Sequence, residues 1–126
     1  MRFLLDTNIL LWAAADALPQ KAAEYINNLE NELLFSSASI WEVVIKNGLG
    51  RSDFCVNPTL LYSGLIRSGY TEVTVESKHT LLVASLPEIH KDPFDRILLA
   101  QATYLGIPLI TSDRVVASYS KTAILV

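Results

Sequence analysis

The stretch RFLLDTN at residues 2–8 is the part of the sequence that decides the fold. Residues 2–5 form a short apolar run, which is typical of a buried strand, and Asp6 and the two residues after it supply the polar side chains with which helices begin. Asp6 is therefore expected at the carboxyl end of a strand. In doubly wound sheets, ligands bind outside such strand ends, where the winding direction changes.

The same alternation of strand and helix patterns continues along the chain. Further strands are predicted at residues 33–35, 71–75, 108–111 and 123–126, and helices at residues 9–15, 38–47, 58–67, 77–85 and 92–104, with another helix opened by Pro19 that includes Leu29 and a helical turn at 115–119. Helices between short apolar strands predict right-handed crossovers and a mainly parallel sheet covered on both faces. We predict an α/β fold, with residues 1–126 as one domain.

Composition limits the possible classes of protein. Hydrophobic residues make up 51% of the 126 residues and charged residues 18%, which argues against disorder. No apolar run approaches the roughly 20 residues of a membrane span, and the N-terminus has no signal-peptide pattern. The single cysteine, Cys55, is compatible with a reducing compartment. We therefore expect a cytoplasmic protein with no membrane partner.

The net charge of −3 argues against a nucleic-acid partner, because such domains usually carry a basic surface. If four of the 13 acids bind metal, however, nine remain against ten Lys and Arg, and the rest of the molecule has a charge of +1. Five basic residues lie in the segments that carry those four acids and are candidates for contact with RNA: Lys46, Arg51, Lys91, Arg96 and Arg114.

Four acids are candidates for a shared site, although each has a structural alternative. Asp6 could only cap the next helix, and Glu42, surrounded by apolar residues on its helix, could pair with Lys46 one turn later. Asp95 could be the capping-box acid of a helix that begins at Asp92, and Asp113 could be an acid in the first turn of the last helix, favoured there by the helix dipole.

The combination of the four acids is stronger evidence than any one of them, because strand ends and helix starts on one side of the sheet can bring all four together. Two carboxylates about 5 Å apart repel by roughly 3 kcal/mol at an effective dielectric of 20. Such a cluster either titrates or binds cations, and oxygen ligands without cysteine favour Mg²⁺ or Mn²⁺ over zinc.

Small polar residues next to these acids could orient a carboxylate or a metal-bound water, or could simply cap helices. They are Thr7, Asn8, Thr111 and Ser112. His79 and His90 lack metal-ligand spacing and are expected to be structural.

The motifs DTN at residues 6–8, SIWE at 39–42, HKDPFDR at 90–96 and TSD at 111–113 give the chain a close resemblance to the PIN-domain nucleases. Within them it resembles the VapC toxins of bacterial toxin–antitoxin pairs. The resemblance runs essentially from end to end and includes IKNGLG at residues 45–50 and LAQA at 99–102. Each motif is short, but their order and spacing are specific.

This resemblance implies a three-layer fold with a five-stranded parallel sheet and Mg²⁺- or Mn²⁺-dependent endonucleolytic cleavage of RNA. It implies that Asp6, Glu42, Asp95 and Asp113 are the metal-binding and catalytic acids, with the cation acidifying a water and offsetting charge on the phosphate. It also implies a homodimer and an antitoxin partner whose tail lies across the active-site groove.

Two other interpretations of the function of this protein remain open. One is a receiver-like phosphoacceptor domain, which needs an Asp at the end of a middle strand and a Lys near the last strands. The other is a non-catalytic interaction module with the same fold. Five apolar residues are too many for the core of so small a domain, and we expect some of them to form the surface of the homodimer: Leu11, Trp12, Trp41, Leu49 and Phe54.

Overall fold

The structure is a computed structural model that describes residues 1–50, 55–87, 92–119 and 121–126. The strands are β1 (Arg2–Leu5), β2 (Glu32–Ser36), β3 (Thr71–Val73), β4 (Leu109–Thr111) and β5 (Ile124–Leu125). The helices are α1 (Thr7–Ala14), α2 (Gln20–Ile26), α3 (Ser37–Gly48), α4 (Pro58–Arg67), α5 (Ser77–Leu82), α6 (Pro93–Leu105) and α7 (Arg114–Ser118), and a 3₁₀ turn (Val83–Ser85) follows α5. No helix in the described ranges is both long and apolar enough to span a bilayer.

All five strands form one parallel sheet in the order β3-β2-β1-β4-β5. The predicted α/β fold with a five-stranded parallel sheet is therefore confirmed. The chain first winds outward from β1 through β2 to β3, and then crosses to the other side of β1 to form β4 and β5. The winding direction thus changes between β1 and β4, which is where ligands bind in sheets of this kind.

Strand β1 lies at the centre of the sheet, and its side chains alternate between two cores. Phe3 and Leu5 pack into one cluster with Ile9, whereas Leu4 packs on the other face with Leu98 of α6. Because successive side chains of a strand point to opposite faces, a fully apolar strand indicates helices on both sides. The structure shows this three-layer arrangement.

The predicted helix starts are set by side-chain caps. The Ser36 hydroxyl accepts a hydrogen bond from the Ala38 amide at 3.1 Å, and Asp92 Oδ1 accepts one from Phe94 at 2.8 Å, with Pro93 at the first helical position. Each cap contributes about 1 kcal/mol. At the other end of α6, Gly106 takes the left-handed conformation (φ 67°) that glycine adopts at least cost.

Several boundaries differ from the sequence prediction by one or two residues, and three elements end or divide where the sequence pattern did not predict it. Helix α2 ends at Ile26, and Leu29 is 99% exposed rather than on a helix face, because the Asn28 side chain accepts the Glu30 amide and forms a turn. Residues 77–85 divide into α5 and the 3₁₀ turn. Strand β3 ends at Val73 because its partner β2 ends at Ser36 in the same register.

Candidate active site

Asp6 lies at the carboxyl end of β1, beside the change in winding direction, and is 6% exposed. Its Oδ1 accepts the Ile9 amide of α1 at 3.0 Å, and its Oδ2 accepts the Thr111 hydroxyl at 2.5 Å. Burial raises the pKa of Asp6, and the negative charge of Glu42 adds to the rise, while bonds from Thr111, Ile9 and the Ser112 backbone oppose it. The carboxylate is thus both a cap and a buried charge near a second acid.

Glu42 lies in α3 and is 9% exposed. Its Oε1 accepts the Thr7 hydroxyl at 2.6 Å, and its Oε2 lies 3.0 Å from the Lys46 Nζ. Thr7 Oγ1 is also 3.0 Å from Ser39 Oγ. A threonine hydroxyl has one proton, so the Thr7 proton goes to the carboxylate and the Ser39 hydroxyl donates to Thr7. The chain Ser39 to Thr7 to Glu42 fixes this carboxylate in place.

Thr111, at the end of β4, joins Asp6 to the start of the last helix. Its hydroxyl donates to Asp6 and accepts the Asp113 amide at 3.1 Å. The Asp113 carboxylate caps α7 by accepting the Val115 and Val116 amides at 2.8 and 3.3 Å. Asp113 is therefore the N-cap of this helix, not an acid within its first turn.

Asp95 is half-buried in the first turn of α6, whose N-cap is Asp92. Helix α6 packs against α3, where the rings of Phe94 and Trp41 meet edge to face with centroids 5.3 Å apart. Asp95 therefore starts a helix that adjoins the helix of Glu42.

The structure brings Asp6 and Glu42 together, but it does not form the expected cluster of all four acids. Among the described residues, no three Asp, Glu, His or Cys side chains are arranged to hold a metal ion. Asp113 is turned to the amides of α7, and Lys46 is already paired with Glu42. The assignment of all four acids as ligands and catalytic residues stays a prediction.

The polar residues predicted beside the acids have different roles. Thr7 and Thr111 each donate a hydrogen bond to one acid, and Ser112 contributes its backbone amide to Asp6. Asn8 is exposed on α1. Ser39 was not among the predicted site residues, although its position one turn before Glu42 on the same helix could have indicated its role.

The basic candidates are also placed differently from one another. Lys46 contacts Glu42, and Arg114 is exposed at the start of α7. The Arg96 guanidinium donates to the Pro87 and Val83 carbonyls at 3.0 and 3.1 Å, which ties α6 to the 3₁₀ turn and gives this residue a structural role. Arg51 and Lys91 lie outside the described residues, and contact of the five with RNA stays a prediction.

His79 is structural, as predicted. It is buried, its Nδ1 accepts the Glu76 amide at 3.0 Å in a capping box, and its ring meets Tyr104 edge to face. His90 and Phe54 lie outside the described residues. Of the other apolar residues expected at a partner surface, Leu11 and Trp12 pack against the core, whereas Trp41 and Leu49 are 62% and 64% exposed.

An apolar groove of about 880 Å³ runs along the side of α3 that carries Trp41. Ile45 of α3, Thr80 of α5 and Pro93 and Ile97 of α6 also line it. Glu42 is buried in the same helix and is not among the residues that line the groove. The groove and the acid pair therefore share one helix but are different surfaces.

The fold and the acid pair define an α/β protein of the parallel, doubly wound class, with two buried carboxylates where the winding direction changes. The family model of the PIN domain matches residues 3–122, and the chain belongs to the PIN-domain family. This confirms the resemblance found in the sequence. The receiver-like alternative is not supported, because the family model that matches the chain is that of the PIN domain.

Solved structures share this fold at low sequence identity. The chain is similar to VapBC2 from Rickettsia felis bound to a promoter DNA fragment, with 18% identity, 100% of this chain and 98% of that chain covered, and a TM-score of 0.71. It is also similar to VapBC-1 from nontypeable Haemophilus influenzae, with 19% identity, 100% of this chain and 97% of that chain covered, and a TM-score of 0.66. PAE2754 from Pyrobaculum aerophilum is 21% identical, with 98% of this chain and 88% of that chain covered and a TM-score of 0.62. No curated protein matches the chain at a significant level.

Proposed function

We propose that this PIN-domain protein is a Mg²⁺- or Mn²⁺-dependent endoribonuclease that hydrolyses RNA phosphodiester bonds as the toxin of a VapBC-type toxin–antitoxin pair. The observation that carries the proposal is the pair of buried carboxylates, Asp6 and Glu42, at the switch point of the sheet. Burial and mutual repulsion raise the pKa of Asp6. A structural pair of acids gains nothing from this arrangement, whereas a cation site needs it.

The donor set fits a hard divalent cation. Asp6 accepts three hydrogen bonds and Glu42 contacts Thr7 and Lys46, so each carboxylate, with about four lone-pair sites, can still bind a cation, and all the candidate ligands are oxygens. Asp6 and Glu42 would hold the cation, and the proposed additional ligands are Asp95, in the first turn of α6, and Asp113, the N-cap of α7. A bound cation supplies water activation and charge neutralisation at a phosphodiester.

The hydroxyl groups around the acids fix their geometry before any ligand binds. Thr111, at the end of β4, donates a hydrogen bond to Asp6. Thr7 donates one to Glu42 and is itself hydrogen-bonded to Ser39. Carboxylates that are already oriented lose little freedom when they bind a cation, which favours both affinity and a defined position for the scissile phosphate. We assign Thr7 and Thr111 as positioning residues, and Asp95 as the candidate proton acceptor.

Two protein partners are part of the proposal. The similar structures named above include VapBC proteins, and another is described as a toxin–antitoxin complex from Klebsiella pneumoniae, which supports a cognate antitoxin for this chain. Exposed apolar residues on α3, namely Trp41, Val44 and Ile45, together with Leu49 at its C-cap, support a homodimer through this helix. An RNA substrate favours a cytoplasmic location, and the single cysteine is compatible with a reducing compartment.

RNA cleavage by the purified protein tests the proposal. We expect cleavage with Mg²⁺ or Mn²⁺ and none in EDTA, and we expect Asp95→Asn to abolish it. If Asp95 is only an acid at a helix start, the same substitution costs up to about 1 kcal/mol of stability and spares cleavage. A folded wild-type protein that cleaves no RNA with either cation would favour the non-catalytic interaction module.

A further inference from the structure

Lys46 occupies an unusual place for a surface lysine. It lies one turn after Glu42 on α3, and its Nζ is 3.0 Å from Glu42 Oε2. The lysine side chain is 40% exposed, but the glutamate side chain is only 11% exposed. The ammonium group therefore reaches from solvent to the edge of the buried acid pair and neutralises the carboxylate there.

The two oxygens of Glu42 are held by different kinds of group. Oε1 accepts the neutral hydroxyl of Thr7, whose position is fixed by Ser39 and by the first turn of α1. Oε2 contacts the ammonium group of a lysine, which ends a flexible four-carbon stem. Only the second contact can be exchanged for another cation without disturbing the fold.

We propose that Lys46 is a built-in counter-ion that occupies the place of a divalent cation beside Glu42 and must release Oε2 before that cation binds. Lys46 thereby lowers the metal affinity of the pocket and keeps the metal-free acid pair folded. This inference rests on the proposed metal site at Asp6 and Glu42. It makes Lys46 a positioning residue that sets the metal occupancy of the enzyme.

Distance and charge determine how strong the effect is. Hard cations bind carboxylate oxygens at about 2.0 to 2.2 Å. A cation on Oε2 would thus lie no more than about 5 Å from an Nζ that keeps its 3.0 Å contact. The lysine must therefore either leave the carboxylate or remain as a like charge beside the metal, and both outcomes weaken metal binding.

The test is Mn²⁺ binding by isothermal titration calorimetry at low ionic strength, with the wild type, Lys46→Gln, Lys46→Arg and Lys78→Gln. Lys78 is a matched control, since it also pairs with a glutamate on its own helix start, Glu76, at 3.7 Å and is 47% exposed. We expect Lys46→Gln to bind Mn²⁺ about fivefold to tenfold more tightly than the wild type. Lys46→Arg, which keeps the charge, and Lys78→Gln should stay within about twofold.

Raising the salt concentration should shrink the gain in Lys46→Gln, because screening already weakens the charge that the substitution removes. Unchanged or weaker Mn²⁺ binding in Lys46→Gln, with binding intact in the wild type, would overturn the role of Lys46 and leave the metal site standing. An equal gain in Lys78→Gln would also overturn it, since the effect would then be one of net charge. Absence of Mn²⁺ binding in the wild type would remove the proposed metal site and this inference together.

Discussion

Two sides of helix α3 differ in which kind of residue they bury and which they expose. Its inward side carries Glu42 and Ser39 among buried residues, next to the carboxylate of Asp6. Its outward side carries Trp41, Val44 and Ile45, which are 62%, 48% and 38% exposed. Charge is buried on one side, and apolar surface faces solvent on the other.

A helix that served only the fold would show the reverse pattern, with its apolar residues inward and its acids in water. Burying a carboxylate near a like charge and exposing a tryptophan both cost free energy. The comparison is consistent with the two proposals, a cation beside the inward carboxylates and a protein partner on the outward side. Substitutions on the two sides should therefore change different properties of the molecule.

The largest expected effect is loss of activity on the inward side. Asp6→Asn and Glu42→Gln should each lower RNA cleavage in Mg²⁺ by at least about 100-fold, because each removes a charged oxygen ligand while the neighbouring hydroxyl bonds can remain. The measurement is the rate of RNA cleavage under single-turnover conditions. Urea unfolding in EDTA should show the same or higher stability, since like-charge repulsion is relieved.

Matched controls for these variants are available on the surface. Asp16→Asn changes an exposed acid whose positive φ of 53° suits asparagine, and Glu24→Gln changes an exposed acid on α2. Both should keep full activity. If Asp6→Asn or Glu42→Gln loses stability but retains cleavage, the acid is structural and the catalytic assignment fails.

The second effect is stabilisation by the cation. A ligand that binds only the folded state at 100 times its dissociation constant adds about 2.7 kcal/mol, so Mn²⁺ should raise the melting temperature by several degrees relative to EDTA. Calorimetry measures this shift. It should be absent in Asp6→Asn and present in Asp16→Asn, and a shift of equal size in both variants would place the bound cation elsewhere.

The third effect concerns the outward side. Trp41 packs against Phe94 of its own chain, so Val44 is the cleaner position to test. Val44→Glu should weaken self-association at micromolar concentration by about tenfold or more and leave the cleavage rate per protomer unchanged if the subunits remain folded.

Light scattering after size-exclusion chromatography measures the association state. Leu29→Glu is the control, because it introduces the same charge at a residue that is 99% exposed and away from α3. A monomeric wild type at micromolar concentration would contradict the homodimer, and equal dissociation in the two variants would show that α3 is not the interface.

Sequence patterns predicted the parts of the fold that local physics determines. The apolar run before Asp6 and the Asp92-Pro93 pair placed β1 and α6 correctly, because burial and capping act within a few residues. The end of β3 could not be read in this way, since it depends on where its partner strand β2 ends.

The candidate site was predictable in its residues but not in its contacts. The position of Asp6 at the switch point followed from the strand pattern, and that of Glu42 from its apolar neighbours on α3. The link from Ser39 through Thr7 to Glu42 spans more than 30 residues of sequence and depends on how α1 packs against α3. The sequence also gave no reason to expect that Arg96 would bind backbone carbonyls.

The smallest expected effect is a pH dependence of the folding stability that arises from the titration of Asp6. Its pKa in the folded protein is raised above the ordinary value of 3.8, with burial as the main cause and Glu42 as a lesser one. The folded state therefore holds this proton more tightly than the unfolded state, and its stability falls as pH rises from 3.8 through the raised pKa and then levels off. Asp6→Asn lacks this loss, while its amide oxygen can still cap α1. In urea unfolding in EDTA, the stability of Asp6→Asn relative to the wild type should thus improve as pH rises across that window.

The other carboxylates titrate in both proteins, so their contributions largely cancel in the difference, and Asp16→Asn controls for the loss of one negative charge. A difference that moves in favour of the wild type as pH rises would show that the Asp6 carboxylate is stabilised by its hydrogen bonds rather than destabilised by burial, and it would remove the electrostatic reason for a cation at this position.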